Sequence, residues 1–541
     1  MKDISSTGSF VDFTLENFIY VDKTVYIPQL VKLKRVFISR PRRFGKSLTL
    51  DTIATLFETG VEPYFKGTWI YDKWTEPTYP VLRLNFLDLD KYSLEHFKQK
   101  LNAIISSFAR DINVKNYEEK VEPEDTIYFL LDELRKEKRQ IVILIDEYDC
   151  QMTANINNET LYKQFQEKIK SFYANLKDKF AIKFLGITGV TRLKVVSIFS
   201  VGSDINDITN ASAYSQMIGF TRDEIKKYYI DYLKLASSYE NNCSVDDVTD
   251  TQLESMLDMM AQNYDGYCFD EDYEKKVFST WSVNKFFQTM IEKKKVQFGE
   301  YWYDNGGLPS ILVNYLKTHE LNIFEYLDKD KFLKVSSDDF KNPTALTTIN
   351  QNVLMYQTGY LTLRSDLNKT STVALGIPNG EIYKALNRLL ANNIFKGNTD
   401  ITDDYGRSLL EVGTVDDIIN LFNSALNSVS YDNYPIVTES SVQNMLKLYL
   451  LGAHQEVLSE VHEAKCRADL VVNTDNRRIV FEFKYAKNEA EAKSKLSEAV
   501  EQIKTRDYGN ILPKKNELIR IAAVFNADPK VRAFTENQIV P

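Results

Sequence analysis

The sequence predicts an α/β chain of several domains, and three observations carry that prediction. Strands alternate with helices over about the first 200 residues, the stretch after 220 turns mostly helical, and a further α/β segment closes the chain. At 541 residues the chain is too long for one hydrophobic core. The changes of texture divide it into 1–212, 213–298, 299–430 and 431–541.

In chain order, Val36 to Ser39 reads as a short buried strand. Leu48, Leu50, Ile53, Ala54 and Phe57 then recur at helical spacing. Pro80 to Phe86 alternates like a second strand, and 93–112 and 126–138 read as helices. Ile141 to Ile145 is continuously apolar, as a central parallel strand is; Phe184 to Thr188 supplies another. Beyond Phe220-Thr221-Arg222-Asp223-Glu224 helices run to about residue 295. A short hairpin is expected around Thr358 to Leu363, and Pro378-Asn379-Gly380 opens a new helix. Polar residues dominate 398–407, Ser428 to Pro435 is a connector, and the last α/β segment spans 437–535.

Composition is that of a folded protein, 43% hydrophobic and 26% charged, which argues against extended disorder. The 32 Tyr and 31 Phe indicate several packed cores. No apolar run approaches the roughly 20 residues that span a bilayer, and the start lacks the order of a signal peptide. A cytoplasmic protein with no membrane partner is expected. Cys150, Cys243, Cys268 and Cys466 form no CxxC pair and suggest neither zinc nor disulfides. A net charge of −9 leaves any nucleic-acid contact to a local basic surface.

A phosphate-binding loop needs backbone N–H groups aimed at phosphates, a Lys for charge and a hydroxyl for Mg²⁺. Gly45-Lys46-Ser47, between strand and helix, supplies the Lys and the hydroxyl. The glycine usual five positions before the Gly-Lys pair is replaced by Arg40, so the Pro41-Arg42-Arg43 loop must follow another path. Lys46 is expected to face solvent. The strand before Asp146-Glu147 places one carboxylate for Mg²⁺ and leaves Glu147 to orient or deprotonate water; the plainer reading is a solvated turn. Thr188 and Arg192, after the next strand, either sense the terminal phosphate and stabilise charge or close a structural turn. Tyr20 to Thr24 edges the base pocket.

Near the other end, Ala468-Asp469-Leu470-Val471-Val472 and Arg478 to Lys484 read as a hairpin with a polar turn. Alternation puts Glu482 and Lys484 on one face and buries Phe481 and Phe483 on the other. A turn centred on Thr474-Asp475 sets Asp469 opposite Val480 and diagonal to Glu482. Diagonal neighbours lie roughly 7–8 Å apart, within reach of one shared divalent metal, with Lys484 beside the water or phosphate. The alternative is a surface hairpin with three ordinary charges.

Asp22-Lys23-Thr24, Arg40 to Leu48, Asp146-Glu147-Tyr148-Asp149 and Thr188-Gly189-Val190-Thr191-Arg192 together resemble the AAA-ATPase-like family of bacterial proteins. That family typically carries a C-terminal PD-(D/E)xK nuclease-like domain. Its loop also lacks the first glycine. Asn263 to Tyr267, Gly307 to Ser310, Tyr356 to Leu361 and Ile377-Pro378-Asn379 are similar to family landmarks, so the resemblance spans nearly the whole chain. It implies a P-loop NTPase domain with a parallel sheet, a helical lid, a winged-helix-like middle and a restriction-endonuclease-like C-terminal domain. It also implies that Arg42, Arg43, Phe44, Gly45, Lys46, Ser47, Leu48, Asp146, Thr188 and Arg192 contact ATP. Ser47 and Asp146 would hold Mg²⁺, and Asp469 and Glu482 would hold Mg²⁺ or Mn²⁺.

Glu147, Asp469, Glu482, Lys484 and Gln502 are the implied catalytic residues, Gln502 from the helix that follows the motif in such nucleases. Cys466 stands where the family often has Gly. The upstream metal-orienting Glu is open among Glu439, Glu456, Glu460 and Glu463, and His454 and His462 are not assigned as ligands.

The function expected is an ATPase whose nucleotide state gates a metal-dependent nuclease acting on DNA or RNA. The alternatives are a nucleotide-controlled nucleic-acid-binding switch, or an interaction scaffold, without cleavage. A homo-oligomer would be required if the arginine finger came from a neighbouring copy rather than from Arg192.

Overall fold

The computed structural model describes residues 1–176, 180–193, 205–302, 310–316, 319, 323–343, 345–368, 371–395, 406–453, 456–463, 466–506 and 517–541. For 310, 407, 456–463 and 466–467 only the backbone is described. Met1–His319 with Phe332–Ile382 forms one compact unit; Glu320–Lys331 with Tyr383–Pro541 forms a second.

The first unit is built on a five-stranded sheet in the order β2-β3-β4-β1-β5. Its strands are β1 (Arg35–Ser39), β2 (Val81–Asn85), β3 (Ile141–Asp146), β4 (Ile182–Gly189) and β5 (Asn206–Asp207), all parallel. Ile141 to Ile145 are all buried, as expected of a strand covered on both faces. Because the strands are parallel, Ser39, Asp146 and Thr188 reach the same edge of the sheet, the edge at which open α/β sheets bind ligands.

Helices follow as the sequence anticipates. Thr221 and Glu224 form a capping box at the start of helix Arg222–Tyr228, and Thr249 and Gln252 do so for helix Asp250–Tyr264. With helices Ile230–Asn241 and Thr280–Lys293 they bury Tyr229, Met256, Met260 and Phe287 in one core, which Ile19 and Val21 also enter. The middle of the chain holds a three-stranded antiparallel sheet of β6 (Leu333–Ser336), β7 (Thr362–Leu363) and β8 (Thr372–Gly376), ordered β6-β8-β7. The expected hairpin starts four residues later than anticipated, because Gln351–Thr358 is helical and ends at Gly359. Asn379 caps helix Gly380–Ile394 by accepting from the Ile382 N–H. The landmark at 307–309 lies outside the described residues.

The second unit carries a sheet ordered β13-β12-β11-β10-β9. Its strands are β9 (Glu456–Glu463), β10 (Cys466–Asn473), β11 (Arg477–Ala486), β12 (Glu517–Asn526) and β13 (Ala533–Ile539). Only β11 and β12 pair in parallel, so a crossover must join them; helix Glu489–Arg506 provides it. Its Ala499, Val500 and Ile503 pack on Val480 and Ala522. Among the described residues no helix is long and apolar enough to cross a membrane.

Candidate functional site

In the first unit β1 ends at Ser39 and helix Lys46–Thr59 begins after Gly45, whose φ of 102° suits glycine. The Arg40 departure has a structural reason. Its side chain is buried, Nη1 donates to the carbonyls of Ser39 and Thr209, and the guanidinium stacks over Phe269 at 4.2 Å. Burial pulls its pKa down to about 10. Arg40 is therefore a packing residue, and the loop leaves it by turning at Arg43, which also has positive φ. Phe44 is wholly buried against Tyr267, Phe269 and Trp302.

Lys46 does not face solvent; this corrects the expectation. It is only 4% exposed, and Nζ donates to the carbonyls of Arg40 (3.1 Å) and Pro41 (3.2 Å). Glu147 lies 3.4 Å from the same ammonium. Ser47 Oγ donates to Asp146 Oδ2 at 2.5 Å, and Thr188 Oγ1 donates to Asp146 Oδ1. Lys46, Ser47, Asp146, Glu147 and Thr188 are thus brought together.

Asp149, which sequence reasoning passed over, brackets the two strand ends. It accepts from the backbone N–H groups of Val190 and Thr191 and from Thr191 Oγ1. Burial raises its pKa, with the Glu147 charge adding to the effect. Gly189 is needed there because a Cβ would sit 2.4 Å from the Tyr148 ring. Arg192 is directed elsewhere: Nε pairs with Asp207, and its N–H meets Gln357.

A cavity of about 520 Å³ adjoins this edge. Arg42 to Thr49, Leu48 among them, and Glu147 line it together with Phe13, Ile19, Tyr20, Val21 and Ile27. Lys23 also reaches it, held by Glu224 Oε2 (2.6 Å) and the Gln216 carbonyl (2.8 Å). A planar apolar group beside clustered cations is the chemistry of a nucleotide. The residues present fit one, and the Ser47–Asp146 pair fits its Mg²⁺.

In the second unit the hairpin pairing differs from expectation by two residues. Leu470 pairs with Phe481 and Val471 with Val480, which places Asp469 across from Glu482 rather than diagonal to it. The turn is closed by the Thr474 N–H bonding the Arg477 carbonyl, one residue beyond the centre anticipated. Cross-strand partners lie roughly 4.5–5.5 Å apart at Cβ, closer than the expected diagonal. Asp469 Oδ2 accepts from the Phe483 N–H at 2.9 Å.

Both faces of β11 are buried. Phe481 and Phe483 stack 5.5 Å apart on one, with Phe422 and Phe534 around them. On the other, Glu482 is 0% exposed and accepts from Lys484 Nζ at 2.8 Å. Glu439, in the first turn of helix Glu439–Gly452, is 3.4 Å from the same Nζ. Of the four upstream glutamates, it is the one whose described side chain meets the site. Gln443, one turn along, was missed by sequence reasoning; it hydrogen-bonds Asp469.

Burial raises the Asp469 pKa. For Lys484 burial acts to lower the pKa, but the Glu482 hydrogen bond and the charges of Glu482, Glu439 and Asp469 outweigh it and leave it raised. Gln502 lies on helix Glu489–Arg506 one turn beyond Glu498, whose carboxylate feels the Lys484 charge. His454 lies outside the described residues, as do the side chains of Glu456, Glu460, Glu463, His462 and Cys466.

Among the described residues no three His, Cys, Asp or Glu side chains gather as a metal cage. Asp469 and Glu482, across from one another, are hard oxygen donors of the kind that suits Mg²⁺ or Mn²⁺.

Residues 5–199 match the family described as predicted AAA-ATPase, and residues 437–535 match the PD-(D/E)XK nuclease superfamily. A relative described as an uncharacterized protein in the vnfD 5′ region of Azotobacter chroococcum mcd 1 is 26% identical over 532 residues. The alignment covers 95% of this chain and 94% of that protein. Two solved structures are distantly similar. Cdc6p from Pyrobaculum aerophilum has 11% identity and a TM-score of 0.23, covering 68% of this chain and 91% of its own. The Aeropyrum pernix Orc1 protein in complex with DNA has 9% identity and a TM-score of 0.27, covering 71% and 97%. Scores this low carry no property across to this chain.

Proposed function

From the premise that the chain joins an AAA-ATPase-like domain at 5–199 to a PD-(D/E)XK nuclease superfamily domain at 437–535, we propose an ATP-binding and ATP-hydrolysing protein whose nucleotide state controls cleavage of DNA or RNA. The observation that carries this is the pairing of a lysine with carboxylates in each domain: Lys46 with Glu147 beside Asp146, and Lys484 with Glu482 beside Asp469.

In the first, Lys46 and the backbone after Gly45 would hold phosphate oxygens, and Ser47 and Asp146 would hold Mg²⁺. Glu147 Oε1 takes the proton of the attacking water. In the second, Asp469 and Glu482 would hold the metal, which when bound would activate a water and neutralise charge on the scissile phosphate. Lys484 Nζ orients the water or phosphate; Glu439 and Gln443 hold Lys484 and Asp469 in place. We take 213–298 as the lid over the nucleotide and 299–430 as the winged-helix-like connection.

The test is incubation of the full chain with single- and double-stranded DNA and RNA, with Mg²⁺ or Mn²⁺, with and without ATP, beside Asp469→Ala. Cleavage lost in the variant and altered by ATP is expected. The complete burial of Glu482 favours a second reading, a nucleotide-controlled binding switch; ATP-dependent affinity for nucleic acid without product would select it.

A further inference from the structure

Helix Gln351–Thr358 brings the Tyr356 to Leu361 landmark against the nucleotide edge at two places. At Gly359, whose φ of 89° ends the helix, a Cβ would lie 2.8 Å from Pro41 Cβ in the phosphate loop. Two residues earlier, the buried Gln357 amide meets both backbone groups of Arg192. Oε1 accepts from the Arg192 N–H at 3.3 Å, and Nε2 donates to its carbonyl at 3.4 Å. The amide thus pairs with the chain beyond β4 much as a neighbouring strand would. The turn after β3 grips the same segment from the other side. Asp149 accepts from the Thr191 N–H at 2.7 Å and from Thr191 Oγ1 at 2.6 Å, and Tyr148 Oη donates to the Thr191 carbonyl at 3.1 Å. The Tyr148 N–H also bonds the Thr188 carbonyl at 3.1 Å. Glu147 stands between Asp146 and this clamp with a φ of 52°. That left-handed backbone is disfavoured for a residue with a Cβ and persists only where its surroundings fix it.

We infer that Gln357 and Asp149 are positioning residues for ATP hydrolysis: together they fix Thr191 and Arg192, and through them the turn that presents Glu147. This rests on the ATPase reading above and deepens it. The segment they hold begins at Thr188, whose hydroxyl bonds Asp146, so both ends of the Glu147 turn are tied to one stretch of backbone. Gln357 and Asp149 are not among the residues lining the cavity. Loosening either one is therefore expected to slow the chemical step and to spare binding. The helix that carries Gln357 thereby acquires a direct hold on the rate of hydrolysis, exerted through Arg192 and Thr191.

The experiment measures phosphate release by the full chain under saturating ATP, and binding of a non-hydrolysable ATP analogue by calorimetry. It compares wild type with Gln357→Ala, Asp149→Asn and the double variant. Each single variant should release phosphate about tenfold or more slowly and bind the analogue within about threefold of wild type. The double variant should be no more than about threefold slower than the slower single one, because both changes loosen the same segment; unrelated damage at two places would multiply to about a hundredfold. Thr191→Val, which keeps the shape but removes the hydroxyl that Asp149 accepts from, should slow release about threefold or more. Thr191→Ser, which keeps the hydroxyl, should remain near wild type. This pair decides the matter if Asp149→Asn fails to fold by circular dichroism. Wild-type rates in Gln357→Ala and in Thr191→Val, losses that multiply in the double variant, or affinity that falls in step with rate overturns the positioning role. Failure of wild type to bind the analogue or to release phosphate overturns the ATPase reading itself, a separate result that takes this role with it.

Discussion

Lys46 shows how far a residue's chemistry is set by its surroundings. Its place after Gly45 is legible from the motif, but not its burial, which comes from the loop carbonyls of Arg40 and Pro41 folding over the ammonium. Lys46→Ala is expected to lower ATP affinity by about a hundredfold in a calorimetric titration. It should also cost about 1 kcal/mol of stability, because Glu147 and two carbonyls lose a donor. Glu381 is the second informative residue. Burial raises its pKa to about 8, against the hydrogen bonds from Ser282 and Trp302. A carboxyl whose folded pKa lies above its unfolded value stabilises the fold below the unfolded pKa and loses that contribution as pH rises through the folded one. Urea unfolding of the first unit should therefore weaken between pH 5 and pH 8, on the order of a few kcal/mol in all, and Glu381→Gln should flatten the dependence. Nothing in the local sequence around Gly380-Glu381-Ile382 marks that carboxyl as buried; Ser282 and Trp302 come to it from far along the chain.

At the scale of elements, the β10–β11 hairpin was readable as a hairpin from alternation alone, and the shared face of Glu482 and Lys484 with it. The register was not, since it depends on a turn closed by Thr474 and Arg477, one residue from the centre that composition suggested. The cover on the polar face was legible from the helix that carries Gln502 and Ile503, and helix Glu489–Arg506 packs there through Ala492, Ala499 and Ile503. With Glu482 wholly buried, Lys484→Ala should destabilise the second unit by about 3–5 kcal/mol in a urea titration, by removing the cation beside a buried carboxylate. Adding Glu482→Gln should recover much of that loss without restoring cleavage. A double variant as unstable as the single one would show that the pair is not what stabilises this face.

At the scale of the whole molecule, the two units carry separate cores, so each site is assembled from its own unit's elements. The control of one by the other that we propose would be a shift in populations driven by nucleotide. Glu147→Gln is expected to bind ATP with normal affinity and release phosphate at least about a hundredfold more slowly, holding the chain in its triphosphate state. Cleavage by this variant should match wild type under saturating ATP and should not decay as ATP is consumed. Decay at the wild-type rate would remove Glu147 from the hydrolytic role.

The sequence by itself determined the alternation of strands and helices, the parallel character of the Ile141–Ile145 strand, and the positions of Lys46, Ser47, Asp146, Asp469, Glu482 and Lys484 on or beside those strands. These depend on hydrophobic period and on side-chain chemistry at close spacing, which are local properties. Only the tertiary structure decided that Arg40 packs over Phe269, that Arg192 belongs to Asp207, that Glu439 joins Lys484, and that Arg43 sits on Trp281. Each of those depends on which distant backbone carbonyl, ring or carboxylate arrives beside a charge. That is set by the packing of whole elements, and no local pattern encodes it.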